Sequence, residues 1–197
     1  MKTFEDVVLF HGHSCPGLAI GYRVSLRAIQ EFPERAKDEE LVVVVENNSC
    51  AVDAIQVITG CTFGKGNLIF KDYGKQVYTF TKRPSGKSIR ISVDWKKPKE
   101  TREEKAMWTK YMQGDRSAKV LGFVHNKKTA RIRHILDANE KDIISVIKSS
   151  VEPQPEAEIY QSIRCGICKE KMMEPRARVK NGKIVCIPCF DSFRRIP

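Results

Sequence analysis

Helical and continuous apolar patterns alternate along the first third of the chain. They predict a short helix over residues 4–10 and a longer one over about 16–31. Residues 41–47 are apolar and mostly β-branched, which indicates a strand buried on both faces. A short helix over 50–59 and a glycine-rich loop over 60–67 follow.

The strand pattern continues downstream and gives way to charged helices. Residues 68–73 predict a strand, and two alternating segments on either side of Pro84–Lys87 predict a β-hairpin. Helices are predicted over 100–113 and about 127–138, and a last strand at about 143–149. The mixed order of helices and strands predicts an α+β core domain.

A short polar segment divides the chain of 197 residues. Glu152–Glu156 contains two prolines, so we expect it to be a stiff linker. The predicted boundaries are 1–151 for the core domain, 152–158 for the linker and 159–197 for a C-terminal zinc finger.

The C-terminal part has two CxxC motifs that are 17 residues apart. Their four cysteines are Cys165, Cys168, Cys186 and Cys189. Two such motifs complete a tetrahedron around zinc and leave no open position, so the predicted ion is structural. Asn181-Gly182 predicts a hairpin between the motifs, and Phe190–Phe193 predicts a helical turn after them. These features are typical of a treble-clef or ribbon finger.

A second candidate site lies just before the 16–31 helix. His11, His13 and Cys15 alternate there, so in extended chain their side chains point the same way. Imidazole and thiolate suit zinc, iron or copper. A helix start also stabilises a thiolate, so Cys15 is either a metal ligand or a nucleophile. The alternative is a buried structural cluster in which His11 only forms hydrogen bonds.

Two further cysteines flank the predicted 50–59 helix. A helix of that length would separate Cys50 from Cys61 by roughly 16 Å, so they cannot share one ion within one chain. We prefer Cys61 as the partner of His13 and Cys15, with Cys50 as the weaker candidate. His11, Cys15 and Cys61 are the candidate catalytic residues.

The glycine-rich loop differs from a nucleotide-binding P-loop. It has one residue too few before Gly64-Lys65, and Gly66 replaces the Ser or Thr that binds magnesium, which excludes nucleotide hydrolysis of that type. Gly64, Lys65, Gly66 and Asn67 are instead candidates for binding an anionic group of a substrate, although a solvated Lys65 fits equally well.

Charge and composition add a few limits. The net charge is +11, and residues 82–148 alone carry +10, which indicates either an anionic partner or a lysine-rich solvated surface. Seven cysteines suit metal ligands or reactive thiols better than disulfides. The chain shows neither a signal peptide nor an apolar run of about 18 residues, so we expect a cytoplasmic protein without membrane association.

Three ordered motifs resemble the FmdE family, the E-subunit family of formylmethanofuran dehydrogenase. They are HGHSCPGLAIGYR (11–23), Cys50–Gln56 and TGCTFGKGNL (59–68). The resemblance spans about residues 5–150, and residues 174–189 are similar to the zinc finger that members often carry.

The resemblance implies an accessory role in methanogenesis-related chemistry. The family is associated with molybdenum or tungsten enzymes that reduce carbon dioxide onto methanofuran, whose metallopterin and iron–sulfur centres belong to other subunits. It implies an intertwined homodimer with a Cys/His site, carried here onto His11, His13, Cys15, Cys50, Cys61 and the loop Gly64–Asn67. Intertwining would bring Cys50 of one protomer towards the site of the other.

Three functions follow, in order of preference. The first is a metal-binding accessory subunit or carrier for molybdenum or tungsten dehydrogenases, with a structural zinc and a second zinc or iron in the core domain. The second is a free-standing metal- or thiol-dependent enzyme that acts on a small anionic substrate. The third is a nucleic-acid-binding regulator, which the basic finger permits but which no aromatic platform supports.

Overall fold

The fold was obtained as a computed structural model, which describes residues 2–191. The chain forms two compact units, of which the first ends at Glu156 and the second begins at Ala157. Within the described residues, no helix combines the length and apolar character needed to cross a bilayer.

The first unit is built on a five-stranded sheet. Its strands are β1 (Leu41–Val45), β2 (Leu68–Phe70), β3 (Val77–Lys82), β4 (Lys87–Val93) and β5 (Ile144–Ser150). The spatial order is β2-β1-β3-β4-β5, with β1 and β2 parallel and every other pair antiparallel. The predicted hairpin is confirmed as β3–β4.

Register places the largest side chains of the sheet on one face. Val43, Phe80 and Ile89 lie opposite one another on neighbouring strands, and all three are fully buried. Val24 and Ile55 from two helices belong to the same buried cluster. Because strand residues alternate between faces, this apolar row fixes the side of the sheet on which the helices pack.

Six helices complete the first unit. They are α1 (Phe4–His11), α2 (Pro16–Glu31), α3 (Ala51–Thr59), α4 (Arg102–Met112), α5 (Ala118–Asp137) and α6 (Glu140–Ile143). Mixed helix and sheet confirms the predicted α+β class. The helix predicted to begin at about 127 begins instead at Ala118, because Val120 and Val124 are buried in its added turns.

The starts of α2 and α3 are held together by a close helix crossing at Gly21. A Cβ built on Gly21 would lie 2.1 Å from the carbonyl oxygen of Ala51, so only glycine allows this approach. One turn earlier, a Cβ on Gly17 would lie 3.3 Å from the Cβ of Cys50. The crossing therefore brings the residue before α2 next to the residue before α3.

The segment predicted to be a linker is bound to the first unit at its start. The Arg83 guanidinium donates hydrogen bonds to the carbonyl oxygens of Gln154 (2.9 Å) and Pro155 (2.6 Å) and forms an ion pair with Glu39. These contacts anchor the proline-containing chain beside the β3–β4 turn.

The second unit consists of short strands and one short helix. They are β6 (Ser162–Arg164), β7 (Lys171–Met173), β8 (Arg178–Lys180), β9 (Lys183–Val185) and α7 (Ile187–Asp191). Asn181 and Gly182 have φ of 50° and 73°, which confirms the tight turn predicted between β8 and β9. The predicted helical turn begins earlier, at Ile187, and its residues Ser192 and Phe193 lie outside the described residues.

Candidate metal centre

Three residues from three helix ends meet in the first unit. His11 is the last residue of α1, Cys15 is the N-cap of α2, and Cys50 directly precedes α3. One ligand atom from each lies within 4.8 Å of the other two. The fold thus assembles a possible His-Cys-Cys ligand set from segments that are up to 39 positions apart in sequence.

Asp53 orients His11 within this cluster. Its Oδ2 lies 2.7 Å from His11 Nδ1, and a carboxylate can only accept, so Nδ1 carries the proton. The other ring nitrogen, Nε2, is buried and has no hydrogen-bond partner among the described residues. A histidine held at Nδ1 by a carboxylate presents an unprotonated Nε2, which is the usual arrangement around metal-binding histidines.

The two sulfur atoms sit where two helix N-termini converge. The Leu18 backbone N–H donates to Cys15 Sγ at 3.4 Å, whereas Cys50 makes no capping bond. Burial, followed by the neighbouring Cys15 thiol, raises the pKa of Cys50. Helix N-termini favour negative charge, and a bound cation would offset the burial of both thiolates.

The ligand set fits a tetrahedral transition-metal ion with one open position. Two thiolates and one imidazole supply three donors, and three protein ligands plus an exchangeable fourth are typical of catalytic rather than structural zinc. Gly17 keeps the space beside the sulfurs free, since its missing Cβ would lie 3.9 Å from Cys15 Sγ.

A pocket of about 340 Å³ opens at this cluster. His11, Cys50 and Asp53 line one part of it, and the rings of Phe63 and Phe70 line another. The remaining lining is apolar or amide-bearing and comes from β1, β2, α3 and residues 47–49. We call this cavity the site pocket.

His13 lies beside the cluster rather than within it. Its ring centroid is 4.5 Å from that of His11, and its side chain is exposed. The set of mutually close ligand atoms contains His11, not His13.

The preference for Cys61 over Cys50 is corrected by the structure. Cys61 lies at the far end of α3, is fully buried, and its Sγ donates to the Leu41 carbonyl oxygen at 3.3 Å. Burial raises the pKa of the Cys61 thiol to about 11, which keeps it protonated. Cys50, at the near end of the same helix, takes the place predicted for Cys61.

The loop residues proposed to bind a substrate hold the backbone together instead. The Lys65 ammonium donates to the carbonyl oxygens of residues 36, 37 and 38 at 3.1–3.3 Å. Asn67 is buried, and its amide donates to the carbonyl oxygens of Asp38 and Leu41. Gly66 has φ of 82°, and a Cβ on Gly64 would meet nothing within 4 Å. None of these four residues lines the site pocket.

In the second unit the four predicted cysteines come together. Their sulfur atoms all lie within 4.8 Å of one another. Burial opposes ionisation of Cys165, but backbone N–H groups of Cys186 and Ile167 lower the pKa of its thiol to about 6. The arrangement suits a structural zinc ion.

Sequence reasoning missed two features of the core site. Asp53 was not identified as the partner of His11, although it follows Cys50 by three positions and therefore lies on the same face of α3. Phe63 and Phe70 were not identified as pocket residues, because nothing in their local pattern distinguishes them from core residues.

Comparison with known proteins supplies the family. Residues 10–145 match the family described as FmdE, molybdenum formylmethanofuran dehydrogenase operon. Residues 158–195 match the prokaryotic DksA/TraR C4-type zinc finger.

Two relatives are informative about extent and fold. A protein of Archaeoglobus fulgidus named probable S-adenosyl-L-methionine-binding protein is 30% identical over 195 residues, and the match covers 93% of this chain but 51% of that protein. The chain thus spans about half the length of this relative. The crystal structure of a tungsten formylmethanofuran dehydrogenase FmdE-like protein from Syntrophus aciditrophicus shares the fold, with a TM-score of 0.63, 22% identity and coverage of 96% of this chain and 91% of that one. The resemblance seen in the sequence motifs is confirmed: the chain belongs to the FmdE family and carries a C-terminal C4-type zinc finger.

Proposed function

We propose that this chain is a metal-binding accessory subunit or carrier for molybdenum or tungsten formylmethanofuran dehydrogenase-type oxidoreductases. In this proposal His11, Cys15 and Cys50 hold one zinc or iron ion, and the ion binds a small ligand in the site pocket. The observation that carries it is the buried, unpartnered Nε2 of His11 beside two cysteine sulfurs.

The unpartnered nitrogen favours a metal site over a structural cluster. A buried polar atom without a partner costs about 1–3 kcal/mol, so a fold keeps one only where something else satisfies it. A metal ion would satisfy Nε2 and both sulfurs at once. The Asp53 carboxylate fixes the ring for that purpose, which a purely structural histidine does not need.

The ion would supply a Lewis-acidic position for a ligand atom. The chain's own residues do the rest: Asp53 keeps the proton on Nδ1 of His11, and the helix starts at Cys15 and Cys50 stabilise the sulfur charge. The site pocket gives a ligand access to the open position.

Family membership supports the accessory role, and the open position supports a second candidate. Three protein ligands beside a pocket are typical of catalytic sites, so a free-standing metal-dependent enzyme is the alternative. Co-purification with dehydrogenase subunits would favour the first candidate, and turnover of a small molecule by the isolated chain would favour the second. The homodimer stays a prediction in both cases.

The name of the Archaeoglobus relative adds one ligand to test. S-adenosyl-L-methionine binding is attributed there to a protein about twice as long, so the half that this chain resembles need not be the half that binds it. Calorimetric titration of the full chain with S-adenosyl-L-methionine decides whether the ligand belongs to this half.

The metal centre is tested by elemental analysis of anaerobically purified full-length protein. We expect about two metal ions per chain, one in each cluster. His11→Ala and Cys50→Ser should each reduce this to about one, whereas the matched controls His13→Ala and Cys61→Ala should leave two. One ion per chain in the unaltered protein would refute the centre, and loss with His13→Ala but not His11→Ala would refute the ligand assignment.

A further inference from the structure

We infer that the site pocket takes an uncharged ligand with an aromatic ring and a ring-nitrogen donor, rather than a carboxylate or phosphate. The inference rests on the proposed metal centre and names the ligand class of that same site. Three properties of the pocket carry it: its charge, the engagement of its polar groups, and its exposed aromatic rings.

The pocket offers no ammonium or guanidinium group to an anion. The titratable side chains in its lining are His11, Cys50 and Asp53, and none of the described lining residues is a lysine or arginine. Lys65, from the neighbouring loop, already donates to three backbone carbonyl oxygens. The charge of a divalent ion would be balanced by two thiolates. An anion would therefore lose its hydration without a new cationic partner.

The amides of the pocket are engaged by the protein itself. Asn47 donates to the Lys75 carbonyl oxygen and accepts from Ser49. Gln56 donates to Asp53 at 3.3 Å and accepts from the Phe63 backbone N–H at 3.1 Å. These groups are poorly available to read a strongly polar ligand, and the bond from Gln56 fixes the backbone of Phe63 at the pocket.

Two phenylalanines give the pocket an apolar wall. Phe63 is 75% exposed and Phe70 is 43% exposed, although both line the cavity. Exposed aromatic rings beside a donor-binding position favour a flat apolar partner, which would bury them and stack against them. A volume of about 340 Å³ lies at the small end of ligand pockets and suits a molecule of one or two rings.

The test compares two ligands that share a donor and differ in charge. Full-length protein is loaded with cobalt(II) and titrated with 4-phenylimidazole and with 4-(4-carboxyphenyl)imidazole, and the visible spectrum is followed. The finger gives a constant background because four thiolates leave no open position. We expect the neutral ligand to bind at least tenfold more tightly. Equal or tighter binding of the carboxylate would overturn the inference.

A variant pair tests the aromatic wall. Phe63→Ala should weaken 4-phenylimidazole binding about fivefold or more and leave unsubstituted imidazole within twofold. The control Phe10→Ala alters an exposed phenylalanine that does not line the site pocket, and it should change neither. Equal losses for both ligands, or no loss in Phe63→Ala, would remove the wall from the argument.

The metal centre and the ligand class fail in different ways. If the chain binds one cobalt ion and His11→Ala leaves its spectrum unchanged, the proposed centre is absent and the ligand inference falls with it. If two ions bind and the carboxylate wins, the centre stands and the ligand class alone is wrong.

Discussion

The two cysteine clusters of this chain are built in opposite ways. The C-terminal cluster takes four ligands from two local CxxC turns, whereas the core cluster takes His11, Cys15 and Cys50 from three helix ends. The described part of the finger buries only Cys165, Val185 and Cys186, but the core cluster lies against helices packed on a five-stranded sheet. A metal must therefore build the finger, while the fold builds the core site before a metal arrives.

The largest expected effect is loss of the finger's fold in Cys186→Ser. Metal binding supplies on the order of 10 kcal/mol to such a finger, and its small core cannot replace that. Amides of residues 162–185 should lose protection in hydrogen exchange, while those of residues 41–45 and 77–82 keep it. In the matched variant Cys50→Ser, both regions should stay protected. Unfolding of the core sheet by Cys50→Ser would show that the core also depends on its metal.

A second substitution breaks the core site through the fold rather than through a ligand. In Gly21→Ala the new Cβ would meet the Ala51 carbonyl oxygen at 2.1 Å, so α2 and α3 must separate. We expect about 3 kcal/mol of destabilisation, or a fall of roughly 6–12 °C in the core Tm, with loss of core metal and full retention of finger metal.

The control for this effect is Gly122→Ala on α5. A Cβ there meets nothing within 4 Å, so the change should stabilise the helix by about 0.5–1 kcal/mol. Calorimetry and metal analysis distinguish the two variants. A Gly21→Ala protein with unchanged Tm and two metal ions would contradict the role of the helix crossing.

Asp53→Asn sharpens the comparison with a smaller effect. It keeps the shape of the side chain but removes the charge that orients His11, so core metal affinity should fall about 10–100-fold while finger affinity stays constant. Competition with a chelator of known affinity measures both sites. Asp72→Asn, an exposed aspartate that does not line the site pocket, is the control and should change neither.

The smallest effect separates the units by acidity. Hydrogen bonds from Lys148 and Lys87 lower the pKa of Glu31 from 4.5 to about 2. A lowered folded-state pKa stabilises the fold above the unfolded value, and that contribution is lost as pH falls from about 4.5 to about 2. The finger should lose zinc at milder acidity, as its thiolates are protonated.

Glu31→Gln tests the assignment. It should flatten the pH dependence of core stability between pH 4.5 and about 2 and leave finger metal release unchanged. An unchanged acid profile of the core would show that other carboxylates carry its acid lability.

What the sequence predicted follows the same division. The finger depends on spacing within a few residues, so CxxC motifs and Asn181-Gly182 sufficed to predict its ligands and its β8–β9 turn. The core strands and most helices followed from apolar periodicity. The first half of α5 was missed because Val120 and Val124 are separated from the next buried position by a polar stretch that breaks the helical pattern.

The core site could be predicted only in part, because it depends on contacts far apart in sequence. His11, Cys15 and Cys50 were all recognised as candidates, but spacing could not show which end of α3 meets α2. That choice is made where Gly21 contacts Ala51. The same limit explains Lys65, whose local loop suggested a ligand contact although its partners lie 27–29 positions earlier.

The position of the core cluster makes a bound ion a removable cross-link between distant parts of the chain. Joining residues 11, 15 and 50 ties α1 and α2 to the start of α3, and the unfolded chain has no such ready-made site. Under the proposed centre, folded stability therefore rises with free metal, by about 2.7 kcal/mol when the metal is at a hundredfold excess over its Kd. The core domain would then report metal supply through its own resistance to unfolding, before any ligand or partner is involved.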